Sequence, residues 1–197
     1  MGEEALLRAA PGWSPEVRIA NPPPALLAKY TAKEKTFFTD YANFVFAITS
    51  DSAVTHKLNQ IFATEHISFE RPIDIRVMVF PARPLRGRSN RILHGSFSRS
   101  ASQISLYPLK VPKDWIRQDG AELFGQPYPS LSMRKQRFVH EVAENAIATL
   151  IHEVLHAKLE RREMRAYVEE SLVRKLETLY MEGWDEIISG AVRRAFK

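Results

Sequence analysis

The segment from Glu141 to Ala157 constrains the fold more than any other part of the chain. It contains neither Gly nor Pro, and from Ala146 onward it is apolar on nearly every side of a helix. This pattern is typical of a helix buried inside a protein rather than of a helix with one face in water. Apart from Thr149, the exceptions are three polar residues, His152, Glu153 and His156. They need partners, because burying an unpaired polar or charged group is costly.

These three residues form the pattern His-Glu-x-x-His. Two His four positions apart lie one turn apart on the same helix face, so their imidazoles can bind one metal ion. The intervening Glu153 can then act as general base toward a water on that metal. With six His in 197 residues, chance produces the pattern in roughly one chain in a hundred. The alternative is a pair of His that make only hydrogen bonds within the core.

A catalytic zinc usually has three protein ligands, so the sequence must supply one more. No His follows His156, which favours a downstream carboxylate. The candidates are Glu160, Glu163, Glu169, Glu170 and Glu177. Residues 165–180 predict a helix on which Glu169 falls in the middle of the apolar stripe, with Glu170 and Glu177 at its flank. Because a carboxylate on a buried face needs a partner, Glu169 is the first choice and Glu170 the second.

This assignment requires the chain to reverse direction between Lys158 and Arg165. In one continuous helix, His156 and Glu169 would lie about 20 Å apart, too far to share a metal. The segment contains no Gly, Pro, Asn or Asp to mark a turn. We therefore expect the metal and packing to impose the break.

The other predicted elements follow from local patterns. Thr31 to Glu34 is a capping box that opens a helix reaching about Thr49, and a second helix covers Ser52 to Ala63. Strands are predicted for 73–80, 91–98 and 102–109, and a long helix begins near Ser130 or Ser132. We divide the chain into a Pro-rich N-terminal arm (1–29), a main domain (30–182) and an amphipathic tail (183–197) that packs on the domain or covers the site.

A His-Glu-x-x-His helix followed closely by a Glu-bearing helix resembles the gluzincin clan of zinc metallopeptidases, and most resembles the single-domain minigluzincins. The resemblance implies an α+β, zincin-like fold with N-terminal helices, a small three-stranded sheet, a buried active-site helix and a glutamate helix. It implies one Zn²⁺ per chain, held by His152, His156 and Glu169 (or Glu170), with Glu153 as general base. One departure is Val173, which replaces an acid that larger gluzincins often carry four residues beyond the ligand Glu.

The resemblance also implies a peptide or protein substrate that pairs with an edge strand along the cleft. The candidate strand comprises Gln103, Ile104, Ser105, Leu106 and Tyr107, with an ordinary central strand as the alternative. The candidates for stabilising the oxyanion are Tyr167, Tyr180 and His140. A zincin-fold binding protein without proteolytic activity is the main alternative function.

Composition excludes several other classes. The chain has no apolar run of 18 residues and no secretory signal pattern, so we expect a cytoplasmic protein without a membrane span. The absence of Cys excludes disulfides and thiolate zinc sites. The net charge is +5, and a basic cluster (Arg83, Arg86, Arg88, Arg91 and Arg99) could contact nucleic acid. A solvated basic loop is the favoured interpretation of that cluster.

Overall fold

The computed structural model describes residues 16–21, 24–67, 73–78, 94–98, 100–120, 122–159 and 165–196. Within these residues the fold is α+β, with helices packed on a four-stranded mixed sheet. No helix in these ranges is long and apolar enough to cross a membrane. The predicted basic cluster lies outside the described residues.

The helices in the first part of the chain begin where local capping signals place them. A short helix, α1 (Pro24–Leu27), precedes α2 (Ala32–Thr49) and α3 (Ser52–Thr64). Thr31 and Glu34 form the predicted capping box at the start of α2, and Asp51 caps α3 by accepting hydrogen bonds from two backbone N–H groups. Four aromatic side chains of α2 are buried, namely Phe37, Phe38, Tyr41 and Phe44, and Phe37 is fully inaccessible to solvent.

The sheet contains four strands in the spatial order β1-β2-β4-β3. They are β1 (Glu16–Ala20), β2 (Asp74–Met78), β3 (Gly95–Ser98) and β4 (Gln103–Leu106). β1 and β4 run parallel to β2, whereas β3 runs antiparallel to β4. The alternation predicted for the second strand is present, since Ile75 and Val77 are buried and Arg76 is exposed.

This strand order corrects two predictions. The sheet has four described strands rather than three, because residues 16–20 pair with β2 instead of belonging to a separate arm. The segment from Gln103 to Tyr107 does not form an edge strand, because β4 is paired with β2 on one side and β3 on the other. Its backbone hydrogen-bonding groups are therefore occupied, and a substrate cannot add to it. The antiparallel strand β3 lies at the edge instead.

The second half of the chain is mainly helical. Short helical turns, including α4 (Lys113–Trp115), lead to the long helix α5 (Met133–Leu159). Two further helices follow, α6 (Ala166–Tyr180) and α7 (Asp185–Ala195). α5 packs against α2, α6, α7, β3 and β4, and so forms the centre of the fold.

The predicted amphipathic tail is an integral part of the core. Residues Ile188, Ala191 and Val192 of α7 are buried, and the helix packs against α2, α3 and α5. Trp184, just before α7, is only 1% exposed and donates its indole N–H to the carbonyl of Tyr180. Of the two roles expected for this segment, the structure therefore favours packing on the domain.

Candidate metal centre

The predicted motif lies in the last two turns of α5, between the core and α6. Leu150, Ile151, Val154 and Leu155 are completely buried on the core side. This packing fixes the rotation of the helix, so that His152 and His156 are directed toward α6 and remain partly accessible, at 18% and 22% exposure of their side chains. α5 ends at Leu159, α6 begins at Ala166, and the two helices pack side by side, as the Glu169 hypothesis required.

Three potential ligand atoms converge at this place. The Nε2 atoms of His152 and His156 lie 3.2 Å apart. One carboxylate oxygen of Glu170, Oε2, lies 3.3 Å from Nε2 of His156 and 3.8 Å from Nε2 of His152. These three residues form the one group of His and acidic side chains, among the described residues, that could hold a metal ion.

The size of this triangle suits zinc. Its three sides, 3.2, 3.3 and 3.8 Å, define a circle with a radius of about 2.0 Å, close to the zinc–nitrogen and zinc–oxygen distances found in proteins. An ion placed near the centre of the circle therefore contacts all three atoms without any movement of the side chains. Among the described residues no fourth His or acidic side chain belongs to this group, which leaves the fourth position open as in a catalytic zinc site.

The other nitrogen of each imidazole is bonded to a carboxylate of α6. Nδ1 of His152 lies 2.7 Å from Glu177, and Nδ1 of His156 lies 2.8 Å from Glu169. A carboxylate accepts the Nδ1 proton, so that the lone pair of a neutral imidazole is on Nε2. Two such lone pairs 3.2 Å apart repel each other unless a proton or a cation lies between them. The arrangement is thus chemically suited to a cation.

Glu153 is the least accessible carboxylate of the site. The residue is 9% exposed, and burial is the main reason why its pKa is raised above the ordinary value. The nearby imidazoles of His152 and His156 oppose this shift, and Glu153 also accepts a hydrogen bond from the backbone N–H of Phe97 in β3. The edge strand β3 therefore contacts the residue predicted to act as general base.

Among the described residues, charge around the site is predominantly negative. Glu153, Glu169, Glu170 and Glu177 surround the two imidazoles, and Arg174 forms an ion pair with Glu170. Burial lowers the pKa of His152, but the hydrogen bond to Glu177 and the neighbouring carboxylates outweigh burial and raise it overall. A divalent cation would offset this excess of negative charge more fully than a single proton on one imidazole.

Arg174 fixes the orientation of Glu170. Its Nε and one terminal nitrogen both lie 2.6 Å from Oε1 of Glu170, one helical turn earlier. The other oxygen, Oε2, is therefore the one that faces the imidazoles. Burial opposes ionisation of Glu170, but the contacts with Arg174 and the two His outweigh burial and lower its pKa.

The structure distinguishes the two acidic residues that the sequence left as rivals. Glu169 is the more buried carboxylate, at 13% against 39% exposure for Glu170, as its place in the apolar stripe predicted. However, Glu169 contacts the Nδ1 side of His156, whereas Glu170 faces the Nε2 atoms. The geometry thus favours Glu170 as the third ligand and gives Glu169 the role of orienting His156.

Glu177 is the residue whose role sequence reasoning missed. The replacement of an acid by Val173 left the orientation of the His residues without an explanation, and Glu169 and Glu177 now supply it. The seven-residue spacing of Glu170 and Glu177 was a usable signal, because it places both on one face of α6. The early part of α6 meets the end of α5, so the two helices are antiparallel at the site.

The three candidates for the oxyanion stabiliser are in different situations. The ring of His140 is hydrogen-bonded to the hydroxyl of Tyr128, and the hydroxyl of Tyr180 donates to Glu65. Tyr167 is 68% exposed and lies one turn before Glu170 on α6. Tyr167 is therefore the candidate whose hydroxyl has no partner among the described residues.

Comparison with known proteins adds no family to this description. No protein-family model, no curated protein and no solved structure matches the chain.

Proposed function

We propose that this protein is a zinc-dependent metallopeptidase in which His152, His156 and Glu170 bind the metal and Glu153 is the general base. The observation that carries the proposal is the convergence of three ligand atoms from two helices on one point, with a second carboxylate, the buried Glu153, beside it. Three protein ligands of the types His, His and Glu, with one position left open, are the ligand set of a catalytic rather than a structural zinc site.

The residues of the chain can divide the work of hydrolysis between them. A zinc ion bound there would lower the pKa of its water and polarise the carbonyl of the substrate. Glu153, whose carboxylate lies beside the two imidazoles, is the residue that would take up a proton from the attacking water and deliver it to the nitrogen of the leaving amine. Glu169 and Glu177 keep the Nδ1 protons of the two His, so that both Nε2 atoms remain available as ligands.

The position of β3 supports a peptide as substrate. β3 is the antiparallel edge strand, and among the described residues no strand pairs with its other side. The strand packs directly on α5, next to Glu153. An extended peptide that added to this edge would carry its backbone past the metal centre. This combination of an antiparallel edge strand, a motif helix and a glutamate helix favours a zincin-like fold. The strand that would bind the substrate is then residues 95–98 rather than residues 103–107.

The first experiment measures metal content and peptide cleavage together. We expect about one zinc per chain in the wild type, and cleavage of fluorogenic peptides that a chelator abolishes and added zinc restores. Glu153→Gln should keep the zinc and lower the rate of cleavage by a factor of about 10² to 10⁴, the usual contribution of a general base. Glu170→Gln should lose the zinc.

Glu144→Gln is the matched control, because Glu144 is an exposed carboxylate on the same helix. It should leave both metal content and cleavage unchanged. Wild-type protein that takes up no zinc, even after refolding with the metal, would refute the proposal. Cleavage that persists unchanged in Glu153→Gln would refute the catalytic role while leaving the metal site intact.

A further inference from the structure

A second concave site lies at the opposite end of α5. It is a cleft of about 400 Å³ between the segment 109–115 and the first turns of α5. This volume is within the range of small-molecule sites in proteins. Arg137, which lines the cleft, precedes His152 by fifteen residues on the same helix. The two sites are therefore separated by about 22 Å along the helix axis.

Three cations line the cleft. They are Lys110, Arg134 and Arg137, and among the described residues none of them forms an ion pair. One carboxylate, Glu141, also lines the cleft but lies beyond ion-pair distance of these cations. Two guanidinium groups three residues apart on a helix lie on neighbouring positions of its surface, so one anion can contact both.

Other cations of the same region do have partners. Lys113 and Arg117 approach the buried carboxylate of Glu34, at 4.0 and 3.5 Å. The charges that face the cleft are therefore distinct from the charges that stabilise the fold. The first turn of α5 contains no acidic residue, and Glu141, the acidic residue that lines the cleft, forms no ion pair with these cations among the described residues.

The placement of these charges on α5 is unfavourable without an anion. Arg134, Lys135 and Arg137 lie in the first turns of the helix, where the helix dipole is positive. Basic side chains there repel one another and the helix end. An anion in the cleft would remove the repulsion for the two arginines that line it.

Two aromatic rings form an apolar wall of the same cleft. Trp115 and Phe138 are in contact, with ring centroids 4.9 Å apart, and both are partly accessible. Trp115 is held on its other side by Phe37, and its ring leaves no room for a side chain at Gly120. The wall is consequently fixed before any ligand arrives, which lowers the entropic cost of binding a planar group.

We propose that this cleft binds a small molecule that joins a planar ring to an anionic group, a phosphate monoester or a carboxylate. The ring packs on Trp115 and Phe138, and the anion contacts Arg134, Arg137 and Lys110. Guanidinium groups match the geometry of both kinds of anion, so the cations alone do not choose between them. The volume of the cleft favours a ligand of about the size of a mononucleotide.

This proposal is tested by calorimetric titration of the whole chain with two probes. Adenosine 5′-monophosphate is the phosphate probe, and hippurate is the carboxylate probe. At least one of them should bind saturably, and the tighter one identifies the preferred anion. Adenosine and inorganic phosphate, each lacking half of the recognised chemistry, should bind at least about tenfold more weakly than the nucleotide if phosphate is the preferred group. Binding should weaken as the salt concentration rises.

Variants locate the binding to the cleft. The double variant Arg134→Gln/Arg137→Gln should weaken binding by about tenfold or more, since charged hydrogen bonds to the anion are lost. Lys135→Gln removes the same charge from the same turn at a residue that does not line the cleft, and should change the affinity by less than about twofold. In a chain that already carries Trp13→Phe, Trp115→Phe should abolish any change in tryptophan fluorescence that accompanies binding, because the remaining Trp184 is buried elsewhere. Circular dichroism of each variant checks that α5 still forms.

Three outcomes would overturn the proposal. One is the absence of saturable binding of either probe up to about 5 mM. The second is equal binding of adenosine and its monophosphate together with no binding of hippurate, which would show that the anionic group does not contribute to binding. The third is equal weakening by Lys135→Gln and by the double variant, which would indicate nonspecific attraction to a basic surface. The metal centre is not involved, so none of these outcomes bears on the peptidase proposal.

Discussion

Gly95 is the place where the structure predicts the sharpest response to a single methyl group. It begins β3 and faces α5 at very short distance. A Cβ atom built on Gly95 would lie 2.3 Å from Cγ2 of Thr149 and 2.9 Å from the backbone oxygen of Ser105. It would also come within 3.4 Å of the carboxylate of Glu153. Backbone strain plays no part, because Gly95 does not have a positive φ; among the described glycines only Gly183 does.

Gly95→Ala should therefore destabilise the protein. Without the clash, the Ala would stabilise the strand by about 0.4 to 1 kcal/mol, because it reduces the freedom of the unfolded chain. Forcing an extra methyl into a closely packed contact typically costs about 1 to 3 kcal/mol, and here a backbone atom that cannot rotate away is involved. With the cost at the upper end of this range, about 3 kcal/mol, and a gain of up to about 1 kcal/mol, we expect a net loss of about 2 kcal/mol in the free energy of unfolding. Urea denaturation should show a midpoint lowered by about 1 M, for a slope of about 2 kcal/mol per M.

Two variants check the reasoning. Gly125→Ala is the matched control, because no atom lies within 4 Å of a Cβ built there, and its stability should stay within about 0.5 kcal/mol of wild type. Thr149→Ser removes the Cγ2 atom, so combining it with Gly95→Ala should recover part of the lost stability. The recovery should be incomplete, because the close contact with the backbone oxygen of Ser105 remains. If Gly95→Ala is as stable as Gly125→Ala, the close approach of β3 to α5 is refuted.

Three further predictions concern the site and the helix ends. Glu169→Gln and Glu177→Gln should each weaken zinc binding by about 10- to 100-fold in chelator competition, because this is the usual effect of losing the partner of a ligating His. If zinc is lost completely in Glu169→Gln but not in Glu170→Gln, Glu169 is the third ligand instead. Asp51→Ala removes the cap of α3 and an ion pair to an arginine of α7, and should cost about 1 to 2 kcal/mol at neutral pH. Burial raises the pKa of the Asp51 carboxyl, but its hydrogen bonds to Arg194 and to the backbone outweigh burial and lower the pKa overall in the folded protein. The stability that ionised Asp51 contributes is therefore present above its ordinary pKa and disappears as the pH falls below about 4. Urea denaturation of the wild type and of Asp51→Ala from neutral pH to about pH 3 should show the difference in stability shrinking, and a constant difference would contradict the assignment. Thr31→Ala should lower the thermal midpoint through a loss of about 1 kcal/mol at the start of α2, with an unchanged midpoint as the contrary result.

Much of the helical framework could be predicted because its signals are local. The capping box at Thr31 and Glu34 depends on residues three positions apart, and the structure begins α2 at Ala32. The burial of Glu169 likewise followed from a period of 3.6 residues within one helix. Both signals depend on residues close together in the sequence. They can therefore be recognised without knowing how the rest of the chain folds.

The strands show where local signals become insufficient. Residues 16–20 have a short alternating pattern, with Val17 and Ile19 packed against the core, but their partner β2 lies beyond three helices in the sequence. The order β1-β2-β4-β3 is fixed by hydrogen bonds between such distant segments. Nothing within residues 103–107 indicates that both edges of that strand are paired. The edge strand therefore had to be identified from the tertiary structure.

The sequence by itself determined that two His and a Glu lie on a buried helix with a glutamate-bearing helix after it. Only the tertiary structure decided which carboxylate meets which nitrogen. Glu169 and Glu170 are neighbours separated by about 100° around α6, and their contacts depend on how that helix crosses α5. Val173 is fully buried where the helices pack, and this contact turns Glu170 toward the Nε2 atoms and Glu169 toward Nδ1 of His156. Periodicity along one helix specifies a face, but the position of that face against another helix is a property of the packed core.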